Sequence, residues 1–90
     1  MGASSEQLEK LLNALLPQKF PDVKRVDVHE EELDKHTYYI HVWVVMKNAH
    51  MFVVPNDVDT TEFVKIQKEI RQLAKYVQLH INQITFGKDN

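Results

Sequence analysis

The side chains best suited to bind a metal or move a proton are five histidines, His29, His36, His41, His50 and His80. His29 and His41 are spaced to be cross-strand neighbours on one face, with Glu30 or Glu31 nearby. A zinc or nickel site needs three or four convergent nitrogen or oxygen ligands. These spacings match no such motif, and no His-Glu-x-x-His is present, so they read as surface histidines and no metal or cofactor is expected. Glu30, Glu31, Glu32 and Asp34 form the densest carboxylate cluster. Paired carboxylates do acid–base work when burial separates their pKa values. A run at a hairpin tip reads instead as a solvated loop. Nucleophilic catalysis has little to draw on. Cysteine is absent, the only serines are Ser4 and Ser5, and Gly2 and Gly87 cannot make a phosphate-cradling loop. The expectation is a protein that is not an enzyme.

Basic residues cluster once. Lys65, Lys68, Arg71 and Lys75 fall on one side of a helical segment, where a stripe of cations could meet nucleic-acid phosphates. Glu62 and Glu69 interleave with them and dilute the stripe. The formal net charge of −2 also argues weakly against a polyanionic partner. An α-β-β-β-α order, read below, resembles the double-stranded-RNA-binding domain in topology. That family places lysines where this chain has Asp59-Thr60-Thr61-Glu62-Phe63, and it has a groove-reading Pro-His loop where this chain has Glu30 to Glu32. No functional residue carries across on that likeness.

The elements that would position these groups follow from periodicity. Leu8, Leu11, Leu12, Leu15 and Leu16 make one apolar stripe of a helix over residues 4–16. Ser4 or Ser5 is placed to cap its start, and Pro17 to stop it. Phe20, between two prolines, is expected to fold back onto the leucines. Val23 to His29 alternates as a half-exposed strand, and Glu30 to His36 is a polar connection. Thr37 to Met46 is the clearest strand, and His50 to Val54 reads as a third after a turn at Lys47-Asn48-Ala49. Asp59 and Glu62 make a capping box that starts a second helix. Its apolar phase, from Phe63 through Ile66, Ile70, Leu73, Ala74, Val77 and Ile81 to Ile84, favours one long helix over residues 60–86 with Gly87 as its C′ residue. Alternation at Val77, Leu79 and Ile81 leaves a C-terminal strand over 77–86 as the other reading. The fold class is α+β, with a three-stranded antiparallel meander and the helices packed on one face.

Ninety residues suit a single domain, with ends at 1–4 and 87–90 expected to be loose. The N-terminus lacks a basic region and an apolar core, so no secretory signal is read. Thr37 to Met46 is too short to span a bilayer. A soluble, cytoplasmic protein is expected.

The most informative segment is Thr37 to Met46, because it is apolar on both faces. One face carries Tyr38, Ile40, Val42, Val44 and Met46, and the other Tyr39, His41, Trp43 and Val45. A sheet covered on one side shows apolar-in, polar-out alternation. Two small helices cover one face of three strands, which leaves the Tyr39, His41, Trp43 and Val45 side partly open to a partner; the other arrangement has the helices straddle the sheet or the C-terminal segment wrap the second face. The reading is an interaction module that self-associates as a homo-oligomer or docks a protein partner, in the manner of an accessory or inhibitor protein of the kind phages encode. The alternative is nucleic-acid binding through Lys65, Lys68, Arg71 and Lys75.

Overall fold

In the computed structural model, residues 3–47 and 60–88 are described. Their order is α1 (Ala3–Lys19), β1 (Val23–Glu32), β2 (Tyr38–Met46), α2 (Thr60–Tyr76) and β3 (Gln83–Gly87). The expected strand at His50–Val54, the turn at Asn48-Ala49 and the cap at Asp59 lie outside the described residues.

The leucine stripe of α1 turns inward. Leu8, Leu12 and Leu16 are fully buried, and Phe20 joins them in the core. Leu15, at the stripe's margin, is exposed. Pro17 does not stop the helix, which runs to Lys19. A proline removes one i→i−4 bond, but the Phe20 amide still donates to the Leu16 carbonyl at 2.7 Å and holds the last turn. Neither is Ser5 a cap. The helix starts at Ala3, and the buried Ser5 hydroxyl donates to the Glu30 carboxylate at 2.8 Å.

β1 and β2 form an antiparallel hairpin paired from Val23↔Met46 to Glu32↔Tyr38. Glu30, Glu31 and Glu32 are therefore strand residues and not a hairpin tip. The connection is the short loop 33–37, in which Asp34 accepts the His36 amide at 2.9 Å and the Leu33 amide donates to Thr37. The backbone N–H of His36 and the Thr37 side chain favour the ionised form of Asp34 and hold its carboxyl below the ordinary value of 3.8.

The α+β class holds, and both helices feed one core. Ile66, Ile70 and Ala74 of α2 pack with the α1 leucines against Val26, Val28, Ile40, Val42, Val44 and Met46. The sheet, ordered β1-β2-β3, is mixed and not an all-antiparallel meander, because β3 runs parallel to β2. A parallel neighbour needs a crossover of a dozen or more residues, and α2 lies within that connection.

The long helix over 60–86 is not formed. α2 ends at Tyr76 through a left-handed residue, Gln78, with φ of 56°. The Leu79 amide donates to the Ala74 carbonyl at 3.0 Å and the Gln78 amide to Lys75 at 3.1 Å. This is the paired bonding of a Schellman terminus, with Gln78 as the C′ residue in place of Gly87. The apolar phase carries on past the helix because Val77 and Ile81 are buried in the same core. A 3.6-residue repeat and a turn-plus-strand thus bury the same positions, so periodicity could not separate them.

Candidate functional site

The strand register sorts the sheet into two faces. Opposite the helices, the pairs Arg25↔Val45, Asp27↔Trp43, His29↔His41 and Glu31↔Tyr39 line up in rows across β1 and β2. β3 extends three of them, with Gly87 beside Val45, Thr85 beside Trp43 and Gln83 beside His41. No described helix covers this face.

Cross-strand contacts hold its side chains in place. The Tyr39 hydroxyl donates to the Gln83 side-chain carbonyl at 2.7 Å. His41 Nε2 and Thr85 Oγ1 share a hydrogen bond of 2.7 Å. The His41 ring lies 5.8 Å from the indole of Trp43 and 6.5 Å from the ring of His29, confirming His29 and His41 as cross-strand neighbours. Arg25 Nε donates to Asp27 Oδ2 at 3.3 Å. Gly87 gives the indole its seat. A Cβ built there would stand 2.6 Å from Trp43 Nε1, closer than real contacts allow. Glycine is needed at this position for close approach, not for backbone conformation, since its φ is not positive.

The four residues expected to meet a partner do not contribute equally. Trp43 is 40 % exposed, and Tyr39 and His41 are half-buried. Val45 is on the expected face but is only 2 % exposed, flanked in its row by Arg25 and Gly87. It offers no surface to a partner. In its place β1 supplies Arg25, Asp27, His29 and Glu31, which the sequence reading did not assign to a partner. The alternation that sets Arg25, Asp27 and His29 opposite Val26 and Val28 is the signal that finds them, because the register puts them on the side of Trp43, whereas Glu30 and Glu32 fall in rows with Ile40 and Tyr38 on the other side.

The basic stripe of α2 lies elsewhere. Lys65, Lys68, Arg71 and Lys75 are all exposed. Arg71 donates to the Ile81 carbonyl at 3.2 Å, and Glu69 within the stripe is paired with Lys19 at 2.9 Å. Among the described residues no three His, Asp or Glu side chains converge as a metal site, and no helix is long and apolar enough to cross a membrane.

The outer border of β1 carries a feature the sequence did not announce. Asn13 of α1 accepts the Val26 amide at 2.9 Å and donates to the Val26 carbonyl at 2.7 Å. Glu9, one turn earlier, accepts the Val28 amide at 2.8 Å. Two helix side chains thereby take the place of a neighbouring strand. No protein family, curated protein or solved structure matches the chain.

Proposed function

We propose that this chain is a non-enzymatic interaction module whose contact surface is the sheet face around Trp43. The observation that supports this is the indole itself, 40 % exposed on a face that no described helix covers and seated on a glycine. Tryptophan and tyrosine held rigidly on a strand lose little side-chain freedom on binding and bring a large contact area. The bonds from Tyr39 to Gln83 and from His41 to Thr85 pre-organise the patch, which lowers the cost of association.

Sedimentation of the wild type and of Trp43→Ser tests self-association through this face. The wild type is expected to show a concentration-dependent heavier species, and the variant to remain monomeric with an unchanged far-UV spectrum. Docking of a different protein is tested by placing a photoreactive phenylalanine at Tyr39 and, as control, at Tyr76, which is 84 % exposed on α2. Cross-linking at position 39 but not at 76 supports the sheet face; equal yields at the two positions reject it.

A second reading uses the four exposed cations of α2 to hold nucleic-acid phosphates. Titration with duplex and single-stranded RNA and DNA at low salt decides it. Binding must appear, and it must be lost when Lys65, Lys68, Arg71 and Lys75 become Gln.

A further inference from the structure

From the order of charges along β1 we infer that the occupant of the open face is a second copy of this chain, stacked face to face with its strands reversed. The inference rests on the sheet face being the contact surface. Along β1 this face reads Arg25, Asp27, His29, Glu31, cationic at one end and anionic at the other. Consider a two-fold axis in the interface plane, perpendicular to the strands and midway between the Asp27–Trp43 and His29–His41 rows. It lays β1 over β1 and β2 over β2 in opposite directions. Arg25 then meets Glu31 of the second copy and Asp27 meets its His29. Trp43 meets the second copy's His41, the ring type it already packs against within the chain at 5.8 Å. Each contact occurs twice, as an isologous interface requires. The alternative axis, parallel to the strands, sets β1 against β3, whose face residues Gln83, Thr85 and Gly87 carry no charge. Charge pairing thus selects the reversed arrangement. Arg25 already bonds Asp27 in its own chain, and a guanidinium with five donors serves more than one carboxylate.

Size sets the strength. With strands about 4.8 Å apart and about 3.4 Å per residue, the patch from Arg25 to Glu31 measures roughly 10 by 20 Å. Two such faces bury less than the ~1,200 Å² of a standard stable complex. The dimer is therefore weak, of micromolar affinity or looser, and salt weakens it further.

Charge exchange tests this arrangement by sedimentation equilibrium. Arg25→Glu alone sets carboxylate against carboxylate at both ends of the stack, and Glu31→Arg alone sets guanidinium against guanidinium. Each variant is expected to weaken self-association about ten-fold or more. Mixed in equal amounts, the two variants form a heterodimer in which each end of the stack sets a carboxylate against a guanidinium, so the mixture is expected to associate more tightly than either variant alone. The double variant, with both exchanges in one chain, places a carboxylate opposite a guanidinium at both ends and is expected to recover affinity to within about three-fold of the wild type. Should Arg25→Glu fail to fold, Asp27→Lys combined with His29→Glu in one chain tests the adjacent contact in the same way. Recovery in the double variant establishes the reversed stack. A double variant no stronger than the single ones overturns it, as does a wild type that stays monomeric at several hundred micromolar. Loss of association in Trp43→Ser without recovery in the double variant leaves the contact face standing and rejects only this arrangement. A monomeric wild type with cross-linking at position 39 rejects the second copy and keeps the docking surface.

Discussion

The two faces of β2 are built from adjacent residues, yet the chain treats them in opposite ways. Ile40, Val42, Val44 and Met46 are sealed by leucines of α1 and isoleucines of α2. Tyr39, His41 and Trp43 face away and are held by side-chain bonds and ring contacts across the sheet. The first face gains its stability from removing apolar area from water. The second gains order from specific polar contacts, with its largest ring left partly in water. A strand that is apolar on both sides thus divides its work between holding the fold together and presenting a fixed surface.

That division should show most strongly in neighbouring substitutions. Ile40→Ala should lower unfolding free energy by about 2–5 kcal/mol, as large-to-small core changes do. His41→Ala, one residue on, should cost within about 1.5 kcal/mol, the worth of one hydrogen bond. Urea titration at a concentration too low for association checks both, and equal costs would erase the distinction between the faces. On the covered side, α1 also seals the border of β1. Asn13→Ala should cost about 1–3 kcal/mol, because it strips the Val26 amide and carbonyl of their partner. Gln7→Ala on the same helix, at an exposed position, should change stability within about 0.5 kcal/mol.

The open face is sharpened by a smaller change. Gly87→Ala should push the indole off its seat and shift Trp43 fluorescence to longer wavelength while far-UV circular dichroism stays the same. An unmoved emission spectrum would show that the ring does not rest there. Gln78→Gly relieves a left-handed residue at the end of α2 and should stabilise by up to about 1 kcal/mol in the same urea assay. That turn releases the chain into β3 and so widens the open face to three strands.

The smallest effect is in the hairpin loop that fixes which residues fall on which face. Asp34 has its folded pKa lowered, so its contribution is present above the unfolded value and is lost as pH falls through the folded one. The His36 amide resonance should therefore titrate with a midpoint below 3.8, and this titration should vanish in Asp34→Asn.

The sequence showed the faces of β2 clearly because strand periodicity is unambiguous over a run dense in β-branched and aromatic residues. The leucine stripe and the return of Phe20 were legible for the same reason. What failed was the distinction between helix and turn after Tyr76. Burial keeps the same apolar phase there, and the stop signal is a glutamine in a conformation usually left to glycine. Pro17 misled in the opposite direction, since one lost bond does not unwind a turn anchored by Phe20 and three buried leucines. At the candidate site the aromatic residues could be read in advance, but their unequal exposure could not. Val45 is buried although it stands on that face, between Arg25 and Gly87 in its row, and row neighbours follow from register, which no single strand specifies.

Asn13 and Glu9 carry one last implication. Fibrous growth by strand addition needs two reactive borders on every subunit, one to receive and one to offer. Here a carboxamide and a carboxylate from α1 occupy the amides of Val26 and Val28, midway along β1. A strand added along that border would have to displace both side chains, so growth from that side of the sheet is opposed.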